Sequence, residues 1–297
     1  MDQELQYGGQ AVIEGVMMRG RTHMAIAVRR PDGRIATHSE PLPPRIYQSH
    51  WSRIPFLRGL ILLWDTLVLG MKALMYSADV AMGEEEEAQF RGPVAWGTIL
   101  LSLGLAIGIF FLLPLLLVSL IDRYIASSLL SNFLEGLIRL GFLLAYIYLV
   151  GFIPNIRRVF RYHGAEHKTI HAYEAGAPLE PRQVQRYTTA HPRCGTAFLL
   201  DVAALAIVVF SLVGRPAMWL RILSRVLLIP VIAGLSYELL KFADRHRTNW
   251  LLRVLWLKPG LALQRLTTGE PDDSMVEVAI AALRELLSLE RSSTSRV

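Results

Sequence analysis

From Val94 to Ile121 the sequence carries no ionisable side chain, and this run restricts the available folds more than any other feature. At ~1.5 Å per residue a helix of that length reaches ~42 Å, more than the ~30 Å hydrocarbon core of a bilayer. Such a run reads as a membrane span, with a kink expected at Pro114. Three more apolar runs follow. About Gly136–Ile153 has Arg139 near one end, placed to snorkel; Thr196–Val213 has Asp201 near its start; Leu220–Phe242 has Arg225 and Glu238 near its two ends. The fold class expected is therefore mainly α: a polytopic membrane helical bundle of about four transmembrane helices. A small N-terminal β-rich region and interfacial amphipathic helices complete it.

The basic residues orient these spans. The connections around Asp122–Glu135 and Gly214–Trp219 hold one arginine each, Arg123 and Arg215, whereas Pro154–Arg193 holds Arg157, Arg158, Arg161, Lys168, Arg182, Arg186 and Arg193. By the positive-inside rule both termini and the 154–195 loop face the cytoplasm. The net charge of +6 is spread over loops flanking apolar runs, which points to anionic headgroups and not to nucleic acid. The lipid bilayer is the first partner implied. A single cysteine, Cys194, excludes an intramolecular disulfide and fits a reducing compartment. No basic stretch precedes an apolar core at the N-terminus, so no signal peptide is expected.

The remaining segments divide as follows. Residues 1–50 form an N-terminal β-rich cytoplasmic region, in which Met24–Val28 and Arg34–His38 flank the turn signal Pro31-Asp32-Gly33. Residues 51–93 contain an amphipathic stretch, Ile54–Met82, interrupted by Arg58, Asp65 and Lys72, and then an acidic loop at Glu84–Glu87. The stretch reads as a helix on the membrane surface or against the bundle, with a fifth, short span that would put the N-terminus outside as the alternative. Residues 94–242 are the four-span domain. Residues 243–297 hold an interfacial segment, Trp250–Leu266 with a break at Pro259-Gly260, then a helix over Met275–Leu289 capped by Asp273 or Ser274 and a disordered tail from Ser292.

Chemistry concentrates in the 154–195 loop. His163 and His167 are four residues apart, so on a helix both imidazoles leave one face and can hold one ion. Glu166 completes a His-x-x-Glu-His pattern, in which two histidines bind zinc or a similar divalent transition metal and the glutamate is the general base. His191, Cys194 or Glu238 supplies the third ligand. Arg161, Lys168 and Arg193 stand near enough in sequence to neutralise an anionic substrate or oxyanion. His171 lies two turns from His163, roughly 12 Å along a continuous helix, and with Glu174 it reads first as a solvated polar face. Glu14 is balanced between a functional and a structural role. Glu270, Asp272 and Asp273 read as a helix-capping turn.

Several longer motifs carry a resemblance. Gly8-Gly9-Gln10-Ala11-Val12-Ile13-Glu14-Gly15-Val16-Met17-Met18-Arg19, Tyr162–Lys168, His191–Thr196, Ser236-Tyr237-Glu238 and Leu263–Thr268 make the chain similar to the YqhQ-like family of bacterial inner-membrane proteins. Its members are described as predicted metal-dependent enzymes. The resemblance implies a bacterial plasma-membrane location and a metal site, and no substrate.

Two functions follow as expectations. One is a membrane-embedded metal-dependent hydrolase acting on a peptide or lipid at the cytoplasmic face. The other is a non-enzymatic membrane scaffold or assembly factor in which any metal is structural. A transporter using Asp201, Arg225 and Glu238 has less behind it, because the sequence shows no inverted repeat.

Overall fold

The structure is a computed structural model, and it describes residues 7–43, 54–83, 93–192, 194–246, 249–250, 254 and 258–294. The acidic run Glu84–Glu87 and Arg193 lie outside the described residues, as does most of the segment before Lys258.

The N-terminal region is a four-stranded antiparallel meander: β1 (Gly8–Val12), β2 (Gly15–Arg19), β3 (His23–Arg29) and β4 (Ile35–Pro41), in that spatial order. The hairpin expected at Pro31-Asp32-Gly33 joins β3 to β4, with Gly33 in the left-handed region at φ 85°. Alternation sends Val16, Met18, Ala25 and Ala27 to one face and Met17, Met24, Ile26 and Val28 to the other. Both faces are covered, which is why β2 and β3 are apolar at nearly every position. Leu69 and Ala73 of α1 (Leu57–Met82) pack on one side. Ala279, Leu283 and Leu286 of the C-terminal helix (Asp273–Thr294) pack on the other, together with Tyr162 and Ala165.

Three described helices are long and apolar enough to cross a membrane: Leu57–Met82, Leu100–Tyr124 and Ser128–Val150. The pair Met218–Leu227 and Ile229–Ala243, bent by 44°, makes a fourth if it is one span. The run expected from Val94 is α2 (Pro93–Ile107) and α3 (Leu113–Ile121), joined by a π-helical turn over Gly108–Leu112. The turn immediately precedes Pro114, which has no N–H to give to the carbonyl four residues back, that of Phe110. Next come α4 (Ser128–Val150), α5 (Pro154–Glu174), α6 (Thr196–Val213), α7 (Met218–Leu227), α8 (Ile229–Arg245), α9 (Lys258–Thr267) and α10 (Asp273–Thr294).

The structure moves several boundaries. α4 starts eight residues before the expected Gly136 because Ser127 caps it, its hydroxyl accepting from the Leu130 amide at 3.3 Å. Arg139 therefore sits mid-helix and buried, bonded to Glu135, and does not snorkel. The described helix of the interfacial segment starts at Lys258, beside the break expected at Pro259-Gly260. Pro259 lies in the first turn of α9, where a missing N–H is unneeded anyway. Asp272 caps α10, accepting from the Met275 amide at 3.1 Å, in place of Asp273 or Ser274. The helix runs through Ser292 to Thr294, where a disordered tail was expected.

α6 links two polar regions. Its start adjoins Cys194. At its far end the Gly214 carbonyl accepts from Asn132 at the beginning of α4.

Candidate metal centre

α5 carries the histidines, and its two ends are fixed by local chemistry. Pro154 occupies the first turn, and Gly176 closes the helix at φ 68° while Ala177 donates back to the Ala172 carbonyl at 2.9 Å. Between these ends, residues 164–170 are buried in a helix with many polar side chains. Two glycines make this possible. A Cβ on Gly164 would come within 2.0 Å of the Gly269 carbonyl, so only glycine lets the 267–270 loop lie against the helix. A Cβ on Gly9 would meet the Met17 carbonyl at 2.6 Å and Glu166 Cγ at 2.8 Å, so β1 approaches Glu166 by the same means.

His163 and His167 face each other with ring centroids 4.4 Å apart. His163 Nδ1 lies 2.9 Å from the Thr267 carbonyl, and His167 Nδ1 lies 2.5 Å from the Thr189 carbonyl. A carbonyl only accepts, so each bond requires the proton on Nδ1 and leaves Nε2 as a bare lone pair in the neutral ring. Metal-binding histidines are commonly held by such a contact, which fixes tautomer and orientation. His163 Nε2 is 3.2 Å from Cys194 Sγ. The ligand atoms of His163, His167 and Cys194 all lie within 4.8 Å of one another. Zinc bonds of ~2.0–2.1 Å to nitrogen and ~2.3 Å to sulfur place tetrahedral donors roughly 3.3–3.6 Å apart, so small side-chain movements bring this set to a metal. Two nitrogens and a sulfur also suit zinc in softness.

Glu166 stands beside these donors and is not one of them. Its Oε2 is 3.9 Å from Nε2 of both His163 and His167. Burial pushes its carboxyl up to about 7, against the opposing pull of His163 and of the hydrogen bond from the Gly9 amide.

Of the three residues expected as third ligand, the fold brings Cys194 to the pair. His191 is one ring further on, 5.7 Å from His167 and 4.5 Å from His171 between centroids, with its Nε2 3.5 Å from Glu174. Burial, then His171 and His167, bring its pKa down to about 3, so the ring is neutral. Glu238 is engaged elsewhere: it pairs with Arg58 and accepts from the Phe56 amide at 3.1 Å. Arg161 and Lys168 are tied to the loop before α10. Arg161 donates to the Glu270 carbonyl and to Asp272, and buried Lys168 reaches the Gln185 carbonyl and Glu270 at 3.0 and 2.8 Å. Arg193 lies outside the described residues. Glu14 sits in the β1–β2 turn at φ 50° and binds Arg158 and Tyr162 of α5, which makes it an anchor of the sheet on the site helix.

The supporting residues were within the longer motifs, without a visible purpose. Gln264, 1% exposed, clamps the His191 backbone from both sides, accepting from its amide at 2.8 Å and donating to its carbonyl at 2.9 Å. Thr267, three residues on, gives its carbonyl to His163. Carbonyl roles leave no mark in side-chain patterns, so Thr189 and Thr267 had no signal of their own.

The comparisons with known proteins agree on relationship. A family model described as a protein of unknown function (DUF1385) matches residues 54–289. The chain is 38% identical over 300 residues to the uncharacterized protein YqhQ of Bacillus subtilis (strain 168), covering 97% of this chain and 94% of that one. No solved structure matches.

Proposed function

The chain belongs to the DUF1385 family, and from that premise we propose a membrane-embedded, metal-dependent hydrolase with its site at the cytoplasmic face of the bacterial inner membrane. The observation that supports it most is the donor triangle: two imidazoles with Nδ1 tied to carbonyls, one thiol, and a carboxylate 3.9 Å off. A structural zinc site closes with four protein ligands, whereas a catalytic one keeps a position open. Among the described residues this set offers three ligands and a base beside them, which favours the hydrolase over the scaffold.

When bound, the metal acidifies water and polarises a carbonyl. The rest belongs to the chain. Glu166 takes a proton from water entering the triangle and returns it to the leaving group, a task worth typically 10²–10⁴-fold. Burial under β1 and the 267–270 loop keeps bulk water from competing for that proton. Arg161 and Lys168 hold this loop on α5, and the loop holds His163.

The spans in this reading are α2–α3, α4, α6 and the bent α7–α8 pair. α6, at 18 residues, covers ~27 Å, slightly short of the ~30 Å core. α1 lies along the membrane surface. One side covers the sheet, with Asp65 bonded to Arg19 at 3.0 Å and Ser77 accepting from the Ile13 amide at 3.1 Å. Its other side exposes Trp64, Leu67, Met71 and Met75, as an interfacial helix does. The substrate is a membrane peptide. β1 is an edge strand whose exposed glycines, Gly8 and Gly9, lie beside Glu166, where the missing side chains let an extended chain pass close.

The 3.2 Å His163–Cys194 contact also fits a cysteine nucleophile with a histidine base. Metal content separates the two readings. Protein purified in detergent without a metal-binding tag is expected to carry an equivalent of transition metal at the donor triangle, to lose that equivalent in His163→Ala and to keep it in Glu166→Gln. Cells carrying Glu166→Gln are expected to accumulate an uncleaved membrane peptide. Folded, metal-supplemented protein that binds none would end the hydrolase reading and turn attention to Cys194.

A further inference from the structure

The row of imidazoles does not stop at His167. His191 and His171 continue it, with centroid spacings of 5.7 and 4.5 Å, and it ends at Glu174. Among the described residues, the ligand atoms of His171, Glu174 and His191 form a second group lying within 4.8 Å of one another. His171 Nε2 is 2.9 Å from the Ala190 carbonyl, so its proton sits there and Nδ1 is left as a lone pair. This is the same device that holds His163 and His167, with the opposite nitrogen freed. Three residues on from His171, Glu174 shares its helix face. His191 is delivered by the segment before α6, its backbone clamped by Gln264.

We propose that His171, Glu174 and His191 form a second metal site, which takes a divalent first-row cation through two nitrogens and one oxygen and sets the position of Cys194. The proposal rests on the reading of the first triangle as a metal centre. The donor sets differ in kind. The first contains a thiolate, whereas the second has none and suits a borderline cation such as zinc, iron or manganese. They are also separate in space. From the middle of the His163–His167 pair to the middle of the His171–Glu174 pair, the helix rises ~11 Å, well beyond the ~3.5–4 Å of two ions sharing a water. The second ion is therefore a clamp and does not share in the chemistry. It draws His191 onto the last turns of α5, and Cys194 follows three residues later. Its amide already donates to the His191 carbonyl at 3.2 Å. A chain with the second site filled holds its third ligand in place, so the first site binds more tightly.

Cobalt(II) titration of metal-stripped, detergent-solubilised full-length protein tests this. Thiolate-bound cobalt has a sulfur-to-metal charge-transfer band, and cobalt held by nitrogen and oxygen has none. Wild type is expected to take two equivalents, with the band saturating at one. Glu174→Gln, a change at an exposed position, and His171→Ala are each expected to take one, keep the band, and bind that cobalt about 10–100-fold more weakly, the range typical of outer supports of a metal site. Cys194→Ser is expected to take one equivalent without the band. A wild type that takes one equivalent with the band, or variants that keep two, would overturn the second site and leave the first intact. One bandless equivalent, lost in Glu174→Gln, would uphold the second site and remove the first.

Discussion

At the two ends of α6 the chain buries polar side chains for opposite ends. Near Gly214, Arg225 is fully buried and gives Nε and Nη2 to Glu135 at 2.9 and 2.6 Å and Nη2 to Asn132 at 3.0 Å. Arg139 adds a bond to Glu135 at 2.7 Å and one to the Phe110 carbonyl at 2.9 Å, the carbonyl that Pro114 leaves without a helical donor. Arg221 joins through Asp122 at 2.7 Å, and both Arg139 and Arg225 lie over the Phe210 ring. Most donors there meet acceptors; Nε and Nη2 of buried Arg221 make no hydrogen bond, Nη2 lying 3.6 Å from Glu135. Near Cys194 the lone pairs of His163 and His167 face a thiol and a carboxylate instead, and their own N–H groups are turned away to carbonyls. One cluster is closed upon itself and reads as structure. The other converges two imidazole lone pairs and a carboxylate on a thiol, an arrangement suited to a cation once the thiol gives up its proton.

The largest effect expected from this contrast is in stability. Glu135→Ala leaves buried arginines without their counter-charge and should cost about 3–5 kcal/mol, seen as loss of cooperative melting in detergent. Cys194→Ala in metal-stripped protein should cost about 1 kcal/mol. Equal losses would break the comparison and make the histidine cluster structural too. Next in size is linkage to metal. At 100 times its dissociation constant an ion bound at the donor triangle adds about 2.7 kcal/mol to wild-type stability. His163→Ala should lose that share of the metal response and keep only the share of the His171–Glu174–His191 site; Glu135 variants that still fold should keep the whole response.

The smallest effect concerns the anchor between sheet and site helix. Hydrogen bonds from Arg158 hold the Glu14 carboxyl below its ordinary 4.5. A depressed folded pKa stabilises above the ordinary value, and the contribution is lost as pH falls through the folded one. Glu14→Gln should therefore cost about 1 kcal/mol near neutral pH. The difference between variant and wild type should shrink in melts taken progressively below pH 4.5. A pH-independent difference would mean that packing, and not the ion pair, holds the hairpin.

Much of this architecture was legible beforehand because its physics is local. The charge-free run at Val94–Ile121, the turn at Pro31-Asp32-Gly33, the helix end at Gly176 and the four-residue spacing of His163 and His167 each need only neighbours in sequence. Arg139 was misplaced because a lone arginine near the end of an apolar run suggests snorkelling until its helix is seen to start at Ser128 and to bring Glu135 one turn away. Glu238 was an attractive ligand only while its partner Arg58, 180 residues distant, was out of view.

The sequence by itself determined the long apolar helices, the α5 face that carries His163, Glu166 and His167, and the sheet's alternation, since hydrophobic runs and residue periods fix these along the chain. Tertiary structure decided that Cys194 meets the pair, that His191 joins His171 and Glu174, and that backbone carbonyls from Thr189, Ala190 and Thr267 set the ring protons. Those contacts join segments far apart in the chain and depend on where backbones cross. Gly9 and Gly164 matter there because a missing Cβ lets one chain approach another.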